Sequence, residues 1–151
     1  MVTERKRGMR MQDRYLFRAK RLDNGEWVQG CYIYDIDRDS SESLNEFAHR
    51  IQPLYAHAYA EPVNQSTICQ CTGLKDKNGN LIWENDIVAY WDSYSTESGL
   101  AEADCIGKVV WDDETISFQV TNRLSAESYE VLGDECSVIG KVFDNPELLE
   151  E

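Results

Sequence analysis

Short strands joined by tight turns, with little helix, predict an all-β or β-dominated α+β domain. The expected form is a small barrel or sandwich of antiparallel hairpins ending in a short C-terminal helical turn. Three observations predict it. Two Asn-Gly dipeptides, Asn24-Gly25 and Asn78-Gly79, lie between apolar, β-prone runs, the composition of tight hairpin turns. Apolar and polar residues alternate with period two in several segments, the pattern of half-buried strands. Seven or eight such segments succeed one another along 151 residues.

In chain order, Tyr15, Phe17 and Ala19 alternate with Leu16, Arg18 and Lys20. The turn Asp23-Asn24-Gly25-Glu26 follows, and Trp27 to Tyr34 completes a first hairpin. Residues 35–66 are less regular. Ser43-Leu44-Asn45-Glu46 has the form of a capping box, and Leu44, Phe47, Ala48 and Ile51 fall at helical spacing, which predicts a short helix near 43–50. Pro53 and Pro62 keep this stretch from being one regular element. Thr67 to Cys71 and Leu81 to Trp83 flank Asn78-Gly79, read as a turn with two positive φ angles, and Ile87 to Trp91 form the next strand. Asp92 to Asp104 is polar and acidic and reads as an exposed loop. Ile106 to Trp111 is a strand, Asp112 to Thr115 a turn, and Ile116, Phe118 and Val120 alternate with polar neighbours. After a loop near 122–135, Cys136 to Phe143 is the last strand. Asn145-Pro146 then reads as an N-cap with proline at the first helical position, opening a turn through Leu148 and Leu149.

The length suits one domain, placed at 12–151, with residues 1–11 as a disordered leader. Met1 to Gly8 is basic but no apolar stretch follows, so it does not read as a secretory signal, and Met9 and Met11 are alternative starts. No run approaches the ~18 apolar residues of a membrane helix, and no membrane association is expected.

The net charge of −13 is unevenly spread. Residues 1–30 carry eight Lys/Arg against four Asp/Glu, whereas residues 84–151 carry three against seventeen. An acidic body repels phosphate backbones, so nucleic acid is not an expected partner. A solvated acidic face is the preferred reading of this charge. The five cysteines, Cys31, Cys69, Cys71, Cys105 and Cys136, are an odd number and are expected to be reduced thiols in a cytoplasm. Cys69 and Cys71 share a strand face and have the beginnings of a metal site. A structural zinc site needs a second pair, for which His49 and His57 are the candidates, so buried small hydrophobes are the favoured reading.

Several strings together resemble one family. They are Phe17-Arg18-Ala19 with Trp27-Val28-x-Gly30, then Gln70-x-Thr72-Gly73-Leu74-x-Asp76-x-Asn78-Gly79, and Glu84-Asn85-Asp86-Ile87-Val88. Val109-Val110-Trp111-Asp112 and Val138-Ile139-Gly140-Lys141 through Asn145-Pro146-Glu147-Leu148-Leu149 complete the set. In this order they resemble the YopX-like proteins of phages and prophages, with Cys71 where an aromatic is common and Asn85 where the family has glycine. Asn tolerates left-handed geometry best after Gly, so a bend needing positive φ survives at Asn85. The resemblance implies an extended Arg50-Ile51-Gln52-Pro53 beside a variable insertion. It also implies a small β-rich protein that self-associates in a host cytoplasm with no established reaction.

The residues agree that chemistry is scarce. Glu84 and Asp86 lie two apart and form a candidate carboxylate pair, but no third ligand or nucleophile accompanies them, and a turn role is preferred. No Cys-His nucleophile pair is suggested locally, and no phosphate-loop, GxSxG or HExxH string occurs. Trp27, Trp83, Trp91 and Trp111 are stacking candidates in SH3-like barrels, though core packing is the preferred role. No catalytic, cofactor-binding or metal residue is therefore assigned. Thr72, Gly73, Leu74, Asp76, Asn78, Gly79, Glu84, Asp86, Ile87, Val88, Gly140, Asn145 and Pro146 are expected to be structural. The functional expectation is a non-enzymatic, cytoplasmic homo-oligomer of a bacterial host. The alternative is an acidic module that engages a host or phage protein by mimicking nucleic-acid charge.

Overall fold

The computed structural model describes residues 11–40, 42–121, 128–130 and 133–150. The chain divides into two compact units, Met1–Gly73 and Leu74–Glu151. The expected leader at 1–11 lies outside the described residues except for Met11, and so does part of the loop expected at 122–135.

In the first unit, β1 (Phe17–Lys20) and β2 (Trp27–Tyr34) form the expected hairpin, with Phe17 opposite Gly30 and Lys20 opposite Trp27. Strands β3 (His49–Pro53) and β4 (Glu61–Pro62) extend it on one side and β5 (Cys69–Lys75) on the other, giving the antiparallel order β4-β3-β2-β1-β5. Ala19, Ile51 and Val63 are the buried core of this sheet, with Phe17, Val28 and Ile68 packed around them. Tyr15, expected to begin a strand, instead ends a 3-10 turn at Asp13–Tyr15. A one-turn helix, α1 (Ile36–Asp39), is capped by the Asp35 carboxylate, which accepts a bond from the Arg38 amide.

The helix expected at 43–50 is not formed. One 3-10 turn at Asn45–Phe47 stands there, and His49 onward enters β3 against β2. Eight residues of helical spacing supply too few bonds to compete with a five-pair ladder that buries Ile51. Arg50 to Pro53 is extended, as the resemblance implied.

In the second unit, β6 (Leu81–Trp83) follows the turn at 76–80, and the sheet order is β10-β9-β8-β7-β11. Its strands are β7 (Asp86–Thr96), β8 (Gly99–Asp112), β9 (Ser117–Thr121), β10 (Ser128–Glu130) and β11 (Cys136–Lys141). Ile82, Val88, Val109, Val120 and Cys136 form its buried cluster. Both sheets are antiparallel and open; neither closes into a barrel. The largest departure from expectation is the acidic stretch Asp92 to Asp104, which is no loop. It is the distal half of a ten-pair β7–β8 hairpin running from Ile87 opposite Lys108 to Thr96 opposite Gly99. Ile116, expected to open a strand, is exposed and lies in the β8–β9 turn at φ 54°.

Gly30 shows how tightly the first sheet is drawn. A Cβ on Gly30 would fall 1.9 Å from the Gln52 carbonyl oxygen, a backbone atom with nowhere to go. Gly30→Ala is therefore expected to destabilise the protein by about 3 kcal/mol, the upper part of the usual overpacking range. The exposed neighbour change Gln29→Ala should lie within about 0.5 kcal/mol of the parent. Chemical denaturation of the two variants checks the pair.

Candidate functional site

Part of the signature, Asp76, Asn78 and Gly79, gathers around one carboxylate. Asp76 is 4% exposed and sits at the start of the turn between β5 and β6. Its Oδ1 accepts from the amides of Asn78 (3.0 Å) and Asn80 (2.8 Å). Its Oδ2 accepts from the amide of Val138 (2.9 Å), on β11, 62 positions away. The Lys77 amide donates to the Cys136 carbonyl, and the Asn78 side-chain amide to the Ser137 hydroxyl. The outer edge of β11 is thus held by a turn instead of another strand. In that turn only Gly79 has positive φ (82°), and Gly79 donates to the Asp76 carbonyl. This is a type I turn with a glycine bulge, and the expected pair of positive φ angles is not formed.

The second half of the signature caps the same sheet. Asn85 has φ 65°, the left-handed geometry expected of a glycine substitute. Its amide donates to the Val109 carbonyl, and its carbonyl accepts from Val142. Asp86 is 1% exposed and takes the Trp83 amide at 2.8 Å. Its carboxylate is engaged by backbone, while Glu84 sits in the turn and not on a strand face. Of the two acids, Glu84 thus lies in the turn and Asp86 opens β7. Ile87 and Val88 are fully buried.

Asn145 was expected to cap the terminal helical turn. Its side-chain oxygen instead accepts from the Lys141 amide (3.2 Å), with no capping bond in the 3-10 turn Pro146–Leu149. A Cβ on Gly140 would lie 2.9 Å from both Asn145 Oδ1 and Leu148 Cδ1, which explains the glycine. In the first unit, Gly73 adopts φ 82° against Arg14, and Thr72 beside it is half-buried. Leu74 is exposed at the start of the second unit.

The other candidates disperse. Cys69 and Cys71 are fully buried on β5, and all five cysteines are free thiols. His49 is bonded to Tyr32 at 2.6 Å with the Tyr34 ring edge against it, and His57 stands in a loop at φ 64°. Among the described residues no group of three or more His, Cys, Asp or Glu is placed to hold a metal ion. No helix among them is long and apolar enough to cross a membrane. In the first unit an open cleft of about 420 Å3 is walled by Trp27, Pro53 and Tyr55. Its charges pair internally, Arg21 lying 2.6 Å from Asp23 and 3.3 Å from Glu61.

The surface feature that sequence reasoning missed is the hairpin arm. The β11 register reaches only Tyr90, and the β9 register reaches only Lys108. Beyond them the arm is a two-stranded ribbon. Trp91 is 58% exposed, and Ile106, its diagonal neighbour on the same face, is 39% exposed. The four tryptophans therefore split: Trp83 is core, Trp27 is half-buried beneath Arg18 and Lys20, and Trp91 and Trp111 face solvent. From Trp91 to Gly107 there is no Lys or Arg, and Asp92, Glu97, Glu102 and Asp104 give the segment four negative charges. Burial pushes the Cys105 thiol up, and the charges of Asp92 and Asp104 push it further.

Burial acts to raise the Asp76 carboxyl, but the amides of Val138, Asn80 and Asn78 outweigh it and hold the group below its ordinary value. A depressed native pKa contributes stability that is complete above the ordinary carboxylate pKa of about 4 and is lost as pH falls through the native value. Asp76→Ala strips the acceptor from three amides and should cost about 3 kcal/mol at neutral pH. The gap between parent and variant should close in acid, as the parent carboxylate takes up its proton. Urea titrations followed by tryptophan fluorescence from neutral pH into the acid range check this. A constant gap across the range would count against the role assigned to the Asp76 carboxylate.

The chain matches the YopX protein family over residues 16–150. No curated protein matches it. The match takes in every described strand and all of the residues gathered around Asp76, Asn85 and Asn145, and the chain belongs to the YopX family.

Proposed function

We propose that this YopX protein is a non-enzymatic accessory protein that acts by assembling with further copies of itself through the sheet face that carries Trp91. The exposure of Trp91 on a regular strand carries the reading, supported by Ile106 on the same face. A tryptophan removes about 150–250 Å2 from water when covered. Trp91 is 58% exposed, so about 90–145 Å2 of it remains to be covered, a gross gain of about 2–4 kcal/mol per copy at about 25 cal/mol per Å2. Asp76 and Asp86 are engaged by backbone amides, which supports a binding role over catalysis. Five free thiols fit a reducing cytoplasm.

Glu102 and Asp104 lie on the same face as Trp91, so facing copies bring like charges together. Assembly is therefore expected to strengthen with salt between about 0.1 M and 1 M, as the screening length falls from about 10 Å to about 3 Å. Light scattering coupled to size exclusion should give a multiple of 17.4 kDa at micromolar concentration. Trp91→Glu should return a monomer. A parent protein that stays at 17.4 kDa across the salt range overturns the reading.

A further inference from the structure

We propose that the edges of the β7–β8 ribbon receive a basic, extended segment of a partner protein as an added β-strand. The inference shares with the assembly reading the ribbon as a docking element and the acids Glu102 and Asp104, which lie on the Trp91 face. It concerns the backbone edges and a different partner.

The backbone supplies the first half of the case. Each strand of an antiparallel pair points every second residue's N–H and C=O away from its partner. Among the described residues no strand pairs with β7 beyond Tyr90 on its β11 side. None pairs with β8 from Gly99 to Gly107 on its β9 side. Two of the other edges are protected. Strand β4 is two residues long and ends in Pro62, and the outer edge of β11 is held by Asp76 and Lys77. Proteins blunt long edges with Lys, Pro, bulges or a covering element. The ribbon has no Lys or Pro, and its register from Ile87 to Thr96 is unbroken. A two-stranded ribbon is marginal in water by itself and gains from a third strand.

The side chains supply the second half and choose the partner. Glu102 and Asp104 stand two apart on β8, so they share a face about 7 Å apart. A second ribbon laid on the edge would set carboxylates against carboxylates. An incoming strand with Lys or Arg at alternate positions would meet them with opposite charge, and its backbone would complete the ladder. The edge is thus guarded against its own kind and open to a cationic strand.

The test uses the full chain and three labelled decapeptides, (Lys-Thr)5, (Glu-Thr)5 and (Lys-Pro)5, followed by fluorescence anisotropy. The proline peptide keeps the positive charge but lacks half of the ladder donors. The inference expects (Lys-Thr)5 to bind, the other two to bind at least about tenfold more weakly, and affinity to fall as salt rises. Equal binding of (Lys-Pro)5 would reduce the effect to charge alone and overturn strand addition. No binding of (Lys-Thr)5, or binding that strengthens with salt, also overturns it. The double change Glu102→Lys with Asp104→Lys should weaken (Lys-Thr)5 at least about tenfold. The near-isosteric pair Glu102→Gln with Asp104→Asn should weaken it in the same direction with an unchanged circular dichroism spectrum, and parent-like affinity of that pair would refute the assigned carboxylates. Mass measured in parallel separates the two readings. An oligomer that ignores the peptide refutes the strand site alone, and a monomer that binds it refutes self-assembly alone.

Discussion

The carboxylate of Asp76 is the constraint on which the second unit rests. A buried acid is costly unless its oxygens are satisfied, and here three backbone amides satisfy it. Two of those amides belong to its own turn and one to β11, so the same group shapes a hairpin and ends a sheet. Gly79 has to take positive φ for the turn to present its amides, and β11 has to lie close for Val138 to reach. Asn85 and Asn145 do related work on either side, tying β8 and residues 141–142 through backbone bonds.

That arrangement redirects the functional question. The acids with the highest chemical promise are already engaged by the backbone, whereas the surface carries an unusual feature elsewhere. The first unit holds ten Lys/Arg and ten Asp/Glu, and the second holds five against eighteen, so the whole net charge lies in the second. Within it, the ribbon combines a long backbone edge, an exposed tryptophan and carboxylates without a cation. Apolar cover of the Trp91 face and strand addition at the backbone edge have opposite dependence on salt, although Glu102 and Asp104 bear on both.

Much of the fold is legible in the residues because turn chemistry is local. Asn24-Gly25 and Asn78-Gly79 place hairpins, and Asn85 marks a left-handed bend, since few residues tolerate those angles. The errors have local causes too. Asp92 to Asp104 reads as a loop because its Asp, Glu, Ser and Gly residues have poor strand propensity and no apolar alternation. Its ladder is set by the preceding pairs, which start in the buried Ile87-Val88 segment and continue outward. Residues 43–50 read as helix because a capping box and four apolar positions agree, yet pairing with β2 draws His49 to Pro53 into the sheet. The tryptophans look alike in sequence, and only their register sorts Trp83 into the core and Trp91 onto a face.

By itself the sequence determined the β-dominated class, the turn positions, the acidic imbalance and the family, since each follows from residue type and short-range spacing. Tertiary structure alone decided which groups share one carboxylate, which edges are capped and which tryptophan meets water. Those outcomes depend on contacts between residues tens of positions apart, such as Asp76 with Val138. No local propensity encodes such a meeting until the sheet has formed and brought the two together.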